Sequence, residues 1–295
     1  MNPREKGFLL LSSHLGNPRR KPLTQAQLRL LTQRMRSADG KTGDRPMEAG
    51  DLVALGYGAD MARHIVDLLG EEELLEYYCG HGKKRDCIPV TRVSGAYPDF
   101  LRQRLGPEAP GCLWAKGDLG ILERPGIALV GSRDLREENR RFAQAVGRQA
   151  ARLGMPLISG NARGADRTAQ EACLDSGGSV VSIVADELSG HSLQERVLYL
   201  SEDAYDAPFT AQRALSRNRC IHALGSIVFV AQSDLGRGGT WDGTVKNLRF
   251  GWSTVACFRD GSEAAQELEQ LGACLIGMED LSDFGNALQC QMRLF

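Results

Sequence analysis

After Gly126 the chain alternates short apolar runs with amphipathic stretches. GIALVG has the texture of a buried strand. Phe142, Val146, Ala150 and Leu153 then recur at helical spacing before PLISG begins a second strand. Ala165, Ala169, Ala172 and Cys173 mark one face of the next helix, and SVVSIVA supplies a third strand. SIVFVA, a helix carrying Trp241, Val245 and Leu248, the strand STVACF, a helix through Ala264, Leu268 and Leu271, and a last short strand near ACLI complete the series. Continuous apolar strands separated by helices predict a parallel sheet covered on both faces, an α/β architecture of the Rossmann-like kind.

The N-terminal part has a different period. Thr24 and Gln27 stand at capping-box spacing, followed by Leu28, Leu31 and Met35 on one helical face. Around Gly56 and Gly58 one helix ends, and the next places Met61, Ile65 and Leu68 or Leu69 on one side. Two short helices joined by a glycine turn suggest a helix-hairpin-helix, which serves either as a DNA-backbone module or simply as a way to pack helices. HGKKRD, His81 to Asp86, is a polar break that reads as a linker or a basic contact. The expected division is a small all-helical domain over 1–85, the Rossmann-like domain over 86–280 and a tail over 281–295.

The 42% hydrophobic share of the 295 residues suits a globular protein with a full core. A formal net charge of -1 gives no global attraction to nucleic acid, although a local basic face can exist on a neutral chain. The apolar run Phe8 to Leu11 is too short for a signal-peptide core, so a cytoplasmic location without a membrane span is expected. Eight cysteines without a C-x-x-C and five histidines without ligand spacing give no metal site and no disulfide framework. No cofactor is expected.

In such sheets ligands bind at the carboxyl ends of the strands. Those ends carry GSRD (Gly131 to Asp134), SGNARGAD (Ser159 to Asp166) and QSDLGRGGT (Gln232 to Thr240), while SRNR (Ser216 to Arg219) precedes one strand within a helix. Glycines admit close backbone approach, helix starts attract anions, and Arg133, Arg163, Arg217 and Arg219 can grip phosphate with two hydrogen bonds. Together they describe a polyanion site. Singly, the glycines are turn chemistry, Arg217 and Arg219 are equally suited to pairing with acids such as Glu202, and Asp166 suits the start of its helix. The first turn carries Gly131 alone rather than G-x-G-x-x-G, no Walker loop occurs, and Ser132 and Ser159 have no histidine nearby in sequence, so no catalytic set is expected.

From about Tyr97 to Ile276 these segments resemble the DNA-processing protein A (DprA/Smf) family. AYPDFLRQRLGPEAPGCLWAKGDLGIL, IALVGSRD, LISGNARGAD, LSED, LSRNRCI and GGTWDGTVKNLRFGWSTV follow in the family's order. The resemblance implies an extended Rossmann fold that binds single-stranded DNA without catalysis, acts in DNA processing and recombination, helps load a recombinase, and often self-associates. It assigns phosphate contacts to Ser132 and Arg133, and the pocket lining to Ser159, Gly160, Arg163 and Gly164. Arg217, Asn218 and Arg219 complete the wall, with contacts from Gly239 and Thr240. The chain departs from the pattern at Asn161, at Gln170 in place of a histidine, in DELSGHSLQERV, and at Asp242 and Gly243. No winged-helix domain is expected after the Rossmann-like part. Two other readings stay open: a nucleotide-sensing or nucleotide-hydrolysing relative of the phosphoribohydrolases, with Asp242 standing for their glutamate, and a structural subunit with a decayed site. At the end, QMRLF resembles the sliding-clamp-binding peptide through Gln291, Leu294 and Phe295, or is a packed terminus.

Overall fold

The computed structural model describes residues 1–37 and 46–282. Five helices open the chain: α1 (Pro3–Ser12), α2 (Gln25–Ser37), α3 (Ala49–Ala54), α4 (Ala59–Gly70) and α5 (Glu72–Lys83). The expected capping box starts α2, since the Thr24 N–H donates to Gln27 Oε1 at 2.8 Å and the Gln27 N–H to Thr24 Oγ1 at 3.3 Å. The turn between α3 and α4 holds Gly56 at φ +85°, where a side chain would be strained. Leu23, Leu31, Leu52, Ala62, Ile65 and Leu68 form a core of their own among these helices. The buried Arg20 ties α1 to the end of α4 by donating to the carbonyls of Leu10 and Leu68 and pairing with Glu71.

Nine strands then form one sheet: β1 (Ile88–Thr91), β2 (Cys112–Lys116), β3 (Gly126–Val130), β4 (Leu157–Ser159), β5 (Val180–Ile183), β6 (Val197–Ser201), β7 (Gly225–Val230), β8 (Thr254–Phe258) and β9 (Cys274–Ile276). Their order is β1-β2-β6-β5-β4-β3-β7-β8-β9. From β6 to β9 all neighbours are parallel, while β1 and β2 add an antiparallel edge. The apolar pattern anticipated the parallel strands other than β6, and missed β1, β2 and β6. Pro89 lies in β1, where only an edge strand can spare the missing donor. No α-helix separates β5 from β6, so VLYLS lacks the strand-helix alternation that marked the others.

The helices of this region are α6 (Asp99–Leu105), α7 (Glu137–Arg152), α8 (Ala165–Asp175), α9 (Ala211–Ser216), α10 (Asn218–Leu224), α11 (Gly238–Phe250) and α12 (Glu263–Gln270). They cover both faces of the sheet. Along β3, Ile127 and Leu129 join Phe142 and Val146 of α7 in one core, while Ala128 and Val130 join Ile221 and Leu224 of α10 in the other. Leu9, Leu10, Leu75 and Tyr78 of the opening helices enter the first of these cores, where the Tyr78 ring meets Trp114 edge-on at 5.5 Å. Among the described residues no helix is long and apolar enough to cross a membrane.

The chain leaves β3 toward β4 on one side and returns after β6 to place β7 on the other. This reversal makes the carboxyl end of β3 the topological switch point, where adjacent loops diverge and a crevice opens.

Candidate functional site

A cleft of about 460 Å³ opens at that point. Its walls are Gly131 to Asp134 after β3, Ala162 and Asp166 after β4, Arg217 and Asn218 at the junction of α9 and α10, and Ser233, Asp234 and Arg237 to Thr240 after β7. A second recess of about 300 Å³ shares Arg133, Ala162, Ala214 and Arg217 with it, and adds Gly160 and Arg163. Segments far apart in sequence therefore meet at one rim.

Glycines bring them together. A Cβ on Gly164, which has φ +87°, would lie 2.4 Å from the Arg133 carbonyl oxygen and 2.5 Å from that of Ser132. The Ala165 N–H donates to the Ser132 carbonyl at 3.1 Å, so the loops after β3 and β4 are clasped through their backbones. Gly131 allows the start of α8 close to β3, because a Cβ there would sit 2.6 Å from that of Ala165. At Gly160 the intruding group is the guanidinium of Arg217, within 1.7 Å of where a Cβ would stand.

Arg217 lies at the break between α9 and α10 and is only 7% exposed. Its Nη2 donates to the Gly160 carbonyl at 2.9 Å and stands 3.9 Å from Asp166, and its Nη1 donates to Asn218 Oδ1 at 3.0 Å. Its Nε–H has no acceptor among the described residues. A buried donor left open costs about 1–3 kcal/mol. Asp166 accepts the N–H groups of Gly160 and Ala162, each at 3.1 Å. Burial pushes its carboxyl above the ordinary value, opposed by the Arg217 charge and those two donors. Asp166 thus orders the loop and anchors Arg217.

Arg133 is exposed and makes no hydrogen bond or ion pair among the described residues. Arg163 pairs with Asp134 at 2.8 Å, with both side chains more than 70% exposed. Such a pair is weak and exchanges readily for a phosphate. Asn218 donates to the Gly239 carbonyl at 3.0 Å, fixing the start of α11 against α10. The first N–H groups of α11, at Gly238 to Thr240, have no partner within the helix and line the cleft.

Two residues expected at the site are elsewhere. Ser159 is fully buried and accepts from Gln170 Nε2 at 2.6 Å, because strand alternation turns it to the face that carries α8. Gln170 serves this interior hydrogen bond. Arg219 pairs with Glu202 at 2.8 Å and donates to the carbonyls of Glu108 and Ser216, which commits it to the scaffold. Asp242 lines the adjoining recess beyond the start of α11 and not the cleft itself. Gly243 leaves room for the ring of His222, whose Nε2 would lie 3.0 Å from an added Cβ. Two cleft residues escaped the reading by motif, Asp234 and Arg237, paired at 3.6 Å across the turn before α11. Arg237 sits inside GRGGT and was legible there. The peptide containing Gln291, Leu294 and Phe295 lies outside the described residues.

Arg133, Arg163, Arg217 and Arg237 thus face Asp134, Asp166, Asp186 and Asp234 around the two recesses, and of these four arginines Arg133 makes no ion pair among the described residues. No group of three or more metal-ligating side chains occurs among the described residues.

A family model described as DNA recombination-mediator protein A matches residues 89–246. The chain belongs to this family. The matched span holds all four segments of the cleft. DNA processing protein DprA of Streptococcus pneumoniae is 28% identical over 192 residues, covering 60% of this chain and 68% of the relative. Protein Smf of Escherichia coli is 29% identical over 140 residues, 44% of this chain and 37% of the relative. The DprA of Bacillus subtilis is matched over 51% of its length, so the chain spans about half or less of some curated relatives. The X-ray structure of Streptococcus pneumoniae DprA superposes with a TM-score of 0.70 at 22% identity, covering 96% of this chain and 99% of that one. A DNA processing protein A from Helicobacter pylori, described for its single-stranded DNA binding mode, gives a TM-score of 0.56 at 22% identity over 69% of this chain and 95% of its own. The fold of this chain is that of the Streptococcus pneumoniae DprA structure.

Proposed function

We propose that this chain binds single-stranded DNA by its phosphate backbone, in DNA processing or recombination, and does so without catalysis. The observation that carries the reading is the unpartnered Arg133 beside the open Nε–H of the buried Arg217, with the free N–H groups of α11 across the same cleft. Guanidinium and backbone donors contact phosphate oxygens and ignore base identity, which gives affinity without sequence preference. Family membership and the DNA-binding relative from Helicobacter pylori support the same reading.

The cleft also has the volume of a small-molecule site, which keeps a free nucleotide as the second reading. Hydrolysis there would need a general base. Asp166 is occupied by two N–H groups and Arg217, and Asp242 lies in a different recess.

Fluorescence anisotropy with a labelled oligothymidine across a salt series tests the proposal. Binding should weaken linearly in log salt, by about 0.7 in log K per phosphate contact, and Arg133→Ala should remove about one contact without changing the melting temperature. Salt-independent binding, or a mononucleotide that binds as tightly as the oligonucleotide, would overturn it.

A further inference from the structure

We propose that the strand held in the cleft continues across the end of α11 into an arginine-lined groove between α2 and the connection from β1 to α6. This inference rests on the single-stranded DNA reading above and adds a path to it. The cleft adjoins a recess of about 680 Å³ through Leu215, Asn218 and Gly239, which line both. That recess adjoins a groove of about 980 Å³ through Gln25, which again lines both. A continuous surface track results.

Each part of the track has the chemistry of a single strand. In the middle, Phe250 is 58% exposed and lies nearly parallel to Trp252, with ring centroids 5.6 Å apart and planes at 17°. The Arg249 guanidinium stands 5.5 Å from the Phe250 ring, and Lys246 lines the same recess. An exposed ring backed by a second ring and flanked by cations is a base-stacking platform. Two acids, Glu108 and Asp242, also line this recess, so its charge attracts a strand less strongly than the groove beyond it does.

That groove is lined by Arg4, Arg29, Arg36, Arg92 and Arg102, and by no acidic side chain among the described residues. Arg92 donates to the Gly106 carbonyl at 2.7 Å, and Arg102 to the Arg92 and Ser94 carbonyls and to Asp99, so one wall is held rigid. On the opposite wall Arg4 and Arg36 are exposed and make no hydrogen bond or ion pair among the described residues. Like charges concentrated in one concave surface repel one another and gain only when an anion enters. The fold makes no use of the Arg4 and Arg36 guanidinium groups, which leaves them to a polyanion.

Anisotropy with oligothymidines of about 6 and about 25 nucleotides tests the path, the shorter filling the cleft and the longer reaching the groove. The triple variant Arg4→Gln, Arg29→Gln, Arg36→Gln should bind the short strand as wild type does. On the long strand it should lose about 2 from the log-log salt slope, at about 0.7 per contact. Phe250→Ala should weaken the long strand about tenfold and leave the short one unchanged. Melting curves confirm that these surface variants fold. Wild-type affinity of both variants for the long strand overturns the path while leaving the cleft reading intact. Failure of the wild-type protein to bind either length overturns both.

Discussion

Replacing Gly164 with alanine tests the clasp on which the cleft depends. Gly164 has φ +87° and ψ -123°, a region open in practice to glycine alone, so alanine there costs on the order of 1–3 kcal/mol in backbone strain. The added carbon would meet the Arg133 and Ser132 carbonyl oxygens at 2.4 and 2.5 Å, and these are backbone atoms that cannot rotate away. The loops after β3 and β4 must separate, and the hydrogen bond from the Ala165 N–H to Ser132 is lost at a further cost of about 1 kcal/mol. The total is roughly 2–4 kcal/mol, which for a domain of this size lowers the melting temperature by roughly 5–15 °C. Gly154 is the matched control. It has φ +65° with nothing within 4 Å of an added Cβ, so Gly154→Ala should cost only the conformational strain, about 1–2 kcal/mol. Thermal melts of the two variants in parallel, with oligonucleotide affinity measured below the transition, isolate the clasp. Gly164→Ala should melt well below Gly154→Ala and bind weakly, because Ser132 and Arg133 are displaced. Equal melting of the two would refute the collision, and full affinity in Gly164→Ala would refute the role of the clasp in binding.

Gly160→Ala should act mainly on binding: Arg217 must swing away from the new carbon, filling the cleft and giving up its bond to the Gly160 carbonyl, and unchanged affinity would count against this account. Arg219→Gln should do the reverse. It strands the carboxylate of Glu202, only 7% exposed, at about 2–3 kcal/mol, so the protein should melt lower yet keep its affinity for a short oligonucleotide that fills only the cleft. Burial holds the His222 imidazole down at about 3 against an ordinary 6.5. Between these values the unfolded state binds the extra proton, so stability should fall as pH drops from about 6.5 toward about 3. His222→Gln should remove one proton from that slope in denaturant titrations at stepped pH, and an unchanged slope would show that His222 titrates normally.

Much of this molecule can be read in its residues. The apolar runs at Ile127, Ile158, Val181, Val228 and Val255 each became a central strand, because a strand buried on both faces is mostly apolar at successive positions. At the antiparallel edge the signal fails. Ile88 is 40% exposed, Pro89 argues against a strand, and the Trp114 run packs against opening helices that local pattern does not place beside it. The site was legible to the extent that chemistry stays with the loop. Arg133 and Arg217 could be picked out from strand-end position and company, and they do meet at one cleft. Arg219 could not be separated from Arg217 by type, because its fate depends on Glu202, brought close only by the fold. Ser159 was misplaced although a period-two count from Leu157 puts both on the face beneath α8.

The sharing of Leu9, Leu10, Leu75 and Tyr78 with the sheet interior decides how the opening helices can be studied. A fragment beginning near residue 86 would present the Trp114 and Tyr205 rings to water along with the apolar ground those side chains cover, and should be recovered as aggregate. Truncation would therefore report on solubility, whatever those helices do. The proposed part of these helices in nucleic-acid binding is therefore to be tested by exchanges on their outer surface, in a chain left whole.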